Sequence, residues 1–414
     1  MRTRWILLAS LAACGSSHNG STDAKAADAA PDARPDAGVD ASLAGTIAVP
    51  LTSLGGVAYT APFEVGGQTL AAIVDTGSTT AAVAGSTCTT CMVTPEYSAG
   101  ATAVDQHKTA KATYGDGTGW SGEIYADHAA FVPASQITLD FVSMTSSSGF
   151  FRGPYQGIVG LGPDQLLSTG TTSYLTVATD GGMAPEIAFQ LCPDKGTMWL
   201  GGFDSTATSA APTYTAMNAQ FPYYAVGVAD LTVGTTSVGT TASFGPTIVD
   251  TGTSLTYMPT AVVTAVTTAV NGSSGFKALF GTQTLSDGGC VSSSTVTTAQ
   301  LDAMLPAMSI TFPGASAPLT LAPSRSYIYV QGGGMFCLSI SSSSQLFSGI
   351  TASLIGDTML ASFVTVIDRG NKQVGFAPEQ GCADAQAQVA RPVPPPAPGQ
   401  PWWSTDPRIR PPRL

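Results

Sequence analysis

A chain of 414 residues is long enough for two domains of ordinary size, each with its own core. Only 10% of its residues are charged and the formal net charge is −11, so no basic patch offers phosphate contacts, which argues against a nucleic-acid partner. Abundant Gly, Ser, Thr and Ala suit an all-β chain with many turns and argue against a helical bundle or a disordered chain. The acidity either suits an acidic medium, where few cations remain to repel one another, or is contributed by an acidic linker.

In chain order, Arg2 and Arg4 precede an apolar run at 5–11 that is too short to span a bilayer, the pattern of an export signal. Leu11-Ala12-Ala13-Cys14 resembles the lipobox of bacterial lipoproteins. That resemblance implies a signal peptide over 1–14, a lipid on Cys14 and anchoring at the bacterial cell envelope, facing the periplasm or the outside. A plain secretory signal with an incidental Cys is the alternative. Residues 15–45, rich in Ala, Asp and Pro, have almost nothing to bury and read as a flexible tether. No other stretch is apolar for long enough to be a transmembrane helix. Setting Cys14 aside leaves Cys88, Cys91, Cys192, Cys290, Cys337 and Cys382, an even number in an exported chain, which suggests three disulfides. Cys88 and Cys91 lack a second Cys or His pair at zinc spacing, so no metal site is expected.

Beyond the tether, short β-branched and aromatic runs alternate with Gly, Pro, Asn and Asp; residues 136–142, 222–231 and 324–330 read as strands. Residues 259–270 and, more weakly, 298–305 read as helices. The most informative feature is an internal repeat. Ile73-Val74-Asp75-Thr76-Gly77-Ser78 returns as Ile248-Val249-Asp250-Thr251-Gly252-Thr253, and Ile158-Val159-Gly160 returns as Leu354-Ile355-Gly356. A period of that size is a duplicated domain rather than a solenoid. Residues 385–414 are Pro-rich, with Pro394-Pro395-Pro396 unbroken, and read as a disordered tail.

Several chemistries are set aside by the same reading. Gly117-Thr118-Gly119-Trp120-Ser121-Gly122 spells G-x-G-x-x-G but opens no helix after a buried strand, so no dinucleotide site is expected. His18, His107 and His128 are the whole histidine complement, and no G-x-S-x-G elbow accompanies them, which argues against a serine hydrolase. By contrast, an apolar strand entering Asp-Thr-Gly puts a carboxylate at a sharp turn, where Gly permits close approach and a nearby hydroxyl bonds the carboxylate. If the halves pack face to face, Asp75 and Asp250 meet on the two-fold axis and share one proton.

Taken together, the ordered blocks from about residue 49 to 382 resemble the pepsin-like aspartic proteases. The resemblance implies an all-β, bilobal double β-barrel with approximate two-fold symmetry and an active-site cleft between an N-terminal lobe, 46–208, and a C-terminal lobe, 209–384. It implies an endopeptidase that activates a water between the Asp75 and Asp250 carboxyls, without a cofactor, a metal or a covalent intermediate, and acts as a monomer on an extended polypeptide. Thr76, Gly77, Ser78, Thr251, Gly252 and Thr253 match the residues that support the two carboxyls. Tyr114, Gly115, Asp116, Gly117 and Thr118 match the flap, a hairpin that closes over substrate; Ile158 and Tyr223 are pocket candidates. The implied disulfides are Cys88–Cys91, Cys192–Cys382 and Cys290–Cys337.

Two departures stand out. The family's Trp that bonds the flap tyrosine is replaced by Ala82, which weakens flap anchoring unless Trp120 substitutes. The tether carries only Lys25 and Arg34 where pepsin zymogens have a basic inhibitory segment, implying control by export or pH instead. The alternative function is a catalytically silent, pepsin-like binding lipoprotein.

Overall fold

The computed structural model describes residues 45–382 apart from 115, 116, 168, 345 and 347–349. The expected signal peptide with Cys14, the expected tether up to residue 44 and the Pro-rich segment 385–414 lie outside the described residues. Strands dominate and helices are few and short, in the bilobal all-β architecture expected. The largest sheet has thirteen strands; three smaller sheets of five, four and three strands come from the second half of the chain.

The internal repeat is visible as two equivalent strand arrangements. Gln68–Asp75 runs parallel to Gly157–Gly160, with Asp75 opposite Gly160, and Ala81–Ala84 pairs antiparallel to the same strand. In the second half Thr247–Val249 runs parallel to Ser353–Ile355, which Thr256–Met258 joins antiparallel. In both copies an apolar strand is buried on both faces, as parallel strands usually are, and its aliphatic side chains fix where the Asp emerges. The halves are stitched by backbone as well. Phe363–Asp368, near the chain's end, pairs antiparallel with Glu186–Leu191 of the first half, from Val364 opposite Gln190 to Asp368 opposite Glu186.

Helices fall close to where they are expected. Thr260–Gly272 buries Val262, Val263, Val266 and Val270 on one face. Thr298–Met304 begins with a capping box in which the Gln300 N–H donates to Thr297 Oγ1 at 3.2 Å and the Thr297 N–H donates to Gln300 Oε1 at 2.9 Å. The strand expected at 136–142 is longer, Ile137–Ser148, because it pairs along almost all of Gly119–Ala130. The one expected at 222–231 is two short pieces, Ala225–Val226 and Asp230–Val233. Phe221 to Tyr224 are held in turns, with the Phe221 N–H donating to the Asn218 carbonyl at 3.1 Å. At 324–330 a 3-10 turn, Pro323–Arg325, precedes the strand Ile328–Gly332, since Pro323 favours the first turn of a helix.

All three disulfides implied by the resemblance are present. Cys192–Cys382 closes a loop of 190 residues, whereas Cys88–Cys91 spans three. Around the former, Gln190 Nε2 donates to the Gln380 carbonyl at 2.7 Å, and Arg325 pairs with Glu379 in a largely buried contact. A cross-link restricts the unfolded chain more when its loop is longer. Replacing Cys192 and Cys382 together by Ala is therefore expected to lower the unfolding free energy by about 2–5 kcal/mol. Replacing Cys88 and Cys91 should cost clearly less, with denaturant midpoints of the two double variants as the measurement.

Candidate active site

Ile73, Val74 and their neighbours are fully buried, so the strand delivers Asp75 to the interior, where it is 0% exposed; Asp250 is 1% exposed. Each chain then turns at once. The Gly77 N–H donates to Asp75 Oδ1 at 2.9 Å, and the Gly252 N–H donates to Asp250 Oδ1 at 2.8 Å. Ser78 Oγ donates to Asp75 Oδ2, and Thr253 Oγ1 to Asp250 Oδ2, each at 2.5 Å. The two carboxyls thus receive the same pair of donors from the same positions of the repeat.

The turns also hold each other. The Thr76 N–H donates to Thr251 Oγ1 at 3.2 Å, and the Thr251 N–H returns a bond to Thr76 Oγ1 at 3.0 Å. Each hydroxyl goes on to donate across the junction: Thr76 Oγ1 to the Val249 carbonyl at 2.8 Å and Thr251 Oγ1 to the Val74 carbonyl at 2.9 Å. These four bonds place the carboxyls against the opposite turn. A Cβ on Gly252 would lie 2.1 Å from Asp75 Oδ1, and one on Gly77 would lie 2.7 Å from the Asp250 carboxyl, so only glycine fits either position. Burial, and next the charge of Asp75, raise the Asp250 pKa above the carboxylate range, against the bonds from Thr253 and Gly252.

A third acid joins them. Asp357 opens the short helix Asp357–Leu360; its N–H donates to the Thr253 carbonyl at 2.8 Å. Its carboxyl is buried, with no hydrogen-bond partner for either oxygen among the described residues. Burial first, then the charges of Asp250 and Asp75, push its pKa well up, which favours its protonated form. Asp357 directly follows the repeat block Leu354-Ile355-Gly356 and was not among the expected site residues. The usable signal was an asymmetry in the repeat, since Ile158-Val159-Gly160 is followed by Leu161 where Leu354-Ile355-Gly356 is followed by the acid.

Val104–Thr113 and Gly119–Ala130 form a long hairpin whose turn contains Tyr114 and Gly117. The Tyr114 N–H donates to the Thr118 carbonyl at 2.8 Å, and Gly117 takes the left-handed backbone that closes the turn, with φ 78°. Gly115 and Asp116 lie outside the described residues. Trp120 Nε1 donates to Tyr114 Oη at 2.6 Å, and the Tyr114 ring stacks on Phe150 with centroids 5.5 Å apart. Ala82 is fully buried in Ala81–Ala84, and the bond to the Tyr114 hydroxyl comes instead from Trp120 within the hairpin itself. Of the pocket candidates, Ile158 is 1% exposed and packs beneath the site in a cluster with Trp120 and Phe150. Tyr223 is half-buried, and its phenol feels the charges of Asp250 and Asp75.

A carboxyl whose pKa is raised on folding holds a proton that the unfolded chain has lost. Its stabilisation is full below the ordinary Asp value of about 3.9 and is lost as pH rises through the folded value. The thermal midpoint is therefore expected to fall from about pH 4 toward neutrality. Asp357→Asn, which cannot ionise, should flatten that fall while matching the native chain at acid pH. The readout is Tm against pH for both proteins, at about 1.4 kcal/mol for each unit of pKa shift removed.

Comparison with known proteins agrees with this geometry. The family model described as eukaryotic aspartyl protease matches residues 58–379. An aspartic protease of Phaffia rhodozyma is 29% identical over 328 residues, which cover 77% of this chain and 76% of that enzyme. Gastricsin of Mus musculus is 27% identical, with 75% of this chain and 78% of that protein covered. Penicillopepsin-3 of Penicillium janthinellum is 27% identical over 64% of each chain, a little under two thirds of its length. With its fold, its duplicated Asp-Thr-Gly turns and a family match over most of its length, the chain belongs to the pepsin-like aspartyl proteases.

Proposed function

We propose that this protein is an aspartic endopeptidase in which Asp75 and Asp250 act as one catalytic pair. The observation that carries the reading is the pair of buried carboxyls set face to face by matched turns, in a setting that raises the pKa of Asp250. One proton belongs to the pair rather than to either residue. The ionised carboxylate takes a proton from a water molecule, whose oxygen bonds to the peptide carbonyl carbon. The neutral carboxyl meanwhile donates to the carbonyl oxygen. The tetrahedral diol then collapses: the C–N bond breaks, the leaving nitrogen takes a proton from the pair, and a carboxylic acid and an amine are released. Ser78 and Thr253 hold the outer oxygens, so that the inner pair faces the substrate.

The rest of the reading follows the sequence. Lobes 46–208 and 209–384 flank the cleft, the tether 15–45 and a lipid on Cys14 fix the enzyme at a bacterial envelope, and the working unit is a monomer. The rival reading, a silent binding protein, drew its support from Ala82. The bond from Trp120 to Tyr114 supplies the missing anchor and favours the enzyme.

Cleavage of denatured casein between about pH 3 and 7 tests the pair, because only its singly protonated form is active. The expected profile declines toward neutrality, is blocked by pepstatin, and is abolished in Asp75→Asn; a folded protein inert at every pH would sink the proposal. Trp120→Phe removes one hydrogen bond to Tyr114 and keeps an aromatic ring. It is expected to lower kcat/KM by about tenfold, the worth of one such bond near a reacting centre, with Tm shifted little.

A further inference from the structure

A row of polar side chains crosses the sheet that joins the halves. Asp368 lies opposite Glu186 on one side and opposite Gln373 on the other. The Arg369 N–H donates to the Pro185 carbonyl at 2.9 Å, which makes the next pair, Glu186 with Asp368, a non-hydrogen-bonded one. In an antiparallel ladder such pairs have the closer spacing, with Cα atoms about 4.5 Å apart and side chains near each other on one face. Like charges placed directly opposite in this way are destabilising.

The two acids are unequally supported. Asp368 is buried; its Oδ1 accepts from the Asn371 N–H at 2.9 Å, and its Oδ2 accepts from Asn371 Nδ2 at 2.7 Å and from Gln373 Nε2 at 3.0 Å. Burial acts against the ionised form, but these bonds prevail and hold its pKa below the ordinary carboxylate value. Glu186 is half-buried, and its carboxyl has no hydrogen bond or ion pair among the described residues. Burial first, then the charge of Asp368, raise its pKa. The neighbouring groups bring no compensating cation. Arg369 pairs with Asp164 at 3.3 Å, and Lys372 is exposed to water, which screens it. On the far side of Glu186, the Gly201 N–H donates to the Glu186 carbonyl at 2.8 Å, and glycine has no side chain to offer. Tyr214, on the strand Thr213–Ala216, completes the surroundings as a neutral phenol, its own pKa raised by burial and then by Glu186 and Asp368.

We propose that Glu186 and Asp368 form a pH-sensitive latch in the sheet between the halves. While Glu186 is protonated, its O–H is a donor for the Asp368 carboxylate, and the strands Glu186–Leu191 and Phe363–Asp368 stay paired to their ends. Once Glu186 ionises, two carboxylates face each other across the ladder and this end of the pairing opens. A group whose pKa is raised on folding stabilises the fold fully below its ordinary value, about 4.3 for Glu, and that contribution is lost as pH rises through the folded value. Asp368, with its pKa lowered, stays ionised through the same range. The seam is therefore tightest in acid and loosens toward neutrality, independently of the buried carboxyls of the candidate site.

Hydrogen exchange of the full chain, corrected for the intrinsic pH dependence of amide exchange, reads this end of the seam directly. Between about pH 4 and about pH 7, protection at 186–188 and 366–368 is expected to fall about fivefold more than in the rest of the sheet, the factor set by one such pair. Glu186→Gln keeps the shape and cannot ionise. It is expected to retain that protection at about pH 7 and to raise Tm there by about 2 °C, while matching the native chain at about pH 4. In an Asp368→Asn background the same substitution is expected to bring no gain, because the facing charge is gone. Equal protection at 186–188 and 366–368 in Glu186→Gln and in the native chain near neutrality would overturn the latch, whether or not Asp368→Asn folds. A gain in Tm without a gain in protection at the seam would overturn it too, and would place the pH sensitivity elsewhere in the fold.

Discussion

Each Asp-Thr-Gly turn reaches across to the other through its threonine, and the geometry of the site depends on that exchange. Thr76 and Thr251 each accept an N–H and donate to a carbonyl of the opposite half, so all four bonds cross between the halves in a region without exposed surface. Loss of either hydroxyl would leave a buried N–H and a buried carbonyl unpaired, which is costlier than the bond itself is stabilising. Because the crossing bonds involve the residue next to each Asp, the carboxyls inherit the precision of the junction. The shared sheet, with the buried strand Phe363–Asp368 laid against Glu186–Leu191, joins the halves a second time.

Burying carboxyls together is unfavourable unless protons compensate, and here three meet. Asp75, Asp250 and Asp357 lie within one another's electrostatic reach. Asp75 and Asp250 each receive an N–H and a hydroxyl, which supports charge on the pair. The Asp357 carboxyl receives no such donor, and burial with the charges of Asp250 and Asp75 favours its protonated form. The arrangement couples the stability of the buried cluster to pH, since raised pKa values favour the folded chain most under acid conditions.

Much of this was legible in the sequence because the chemistry is local. An aliphatic pair before Asp-Thr-Gly declares its strand and turn, and the capping residues Thr297 and Gln300 declare a helix. Likeness to a family supplied the disulfide pairing, which spacing alone leaves open. What escaped depends on distant neighbours. The raised pKa of Asp357 follows from which groups surround it, and the segment 222–231 broke into short strands because its register is set by Ile248 and Ile310. Trp120 was the substitute anchor the sequence offered, and the pairing of Ala112 with Trp120 supplies the geometry, bringing the start of the second strand beside the turn.

Six residues separate Tyr114 from Trp120, and that spacing has a consequence for how the molecule assembles. A contact between a hairpin and a distant strand must wait until the lobe has closed, since loop-closure entropy has to be overcome first. A contact inside one hairpin forms on the microsecond scale of the hairpin itself. The hydrogen bond between the tyrosine and its anchor is therefore local to one hairpin, and forming it closes only a short loop, even though both rings go on to pack against Phe150 and the cluster beneath.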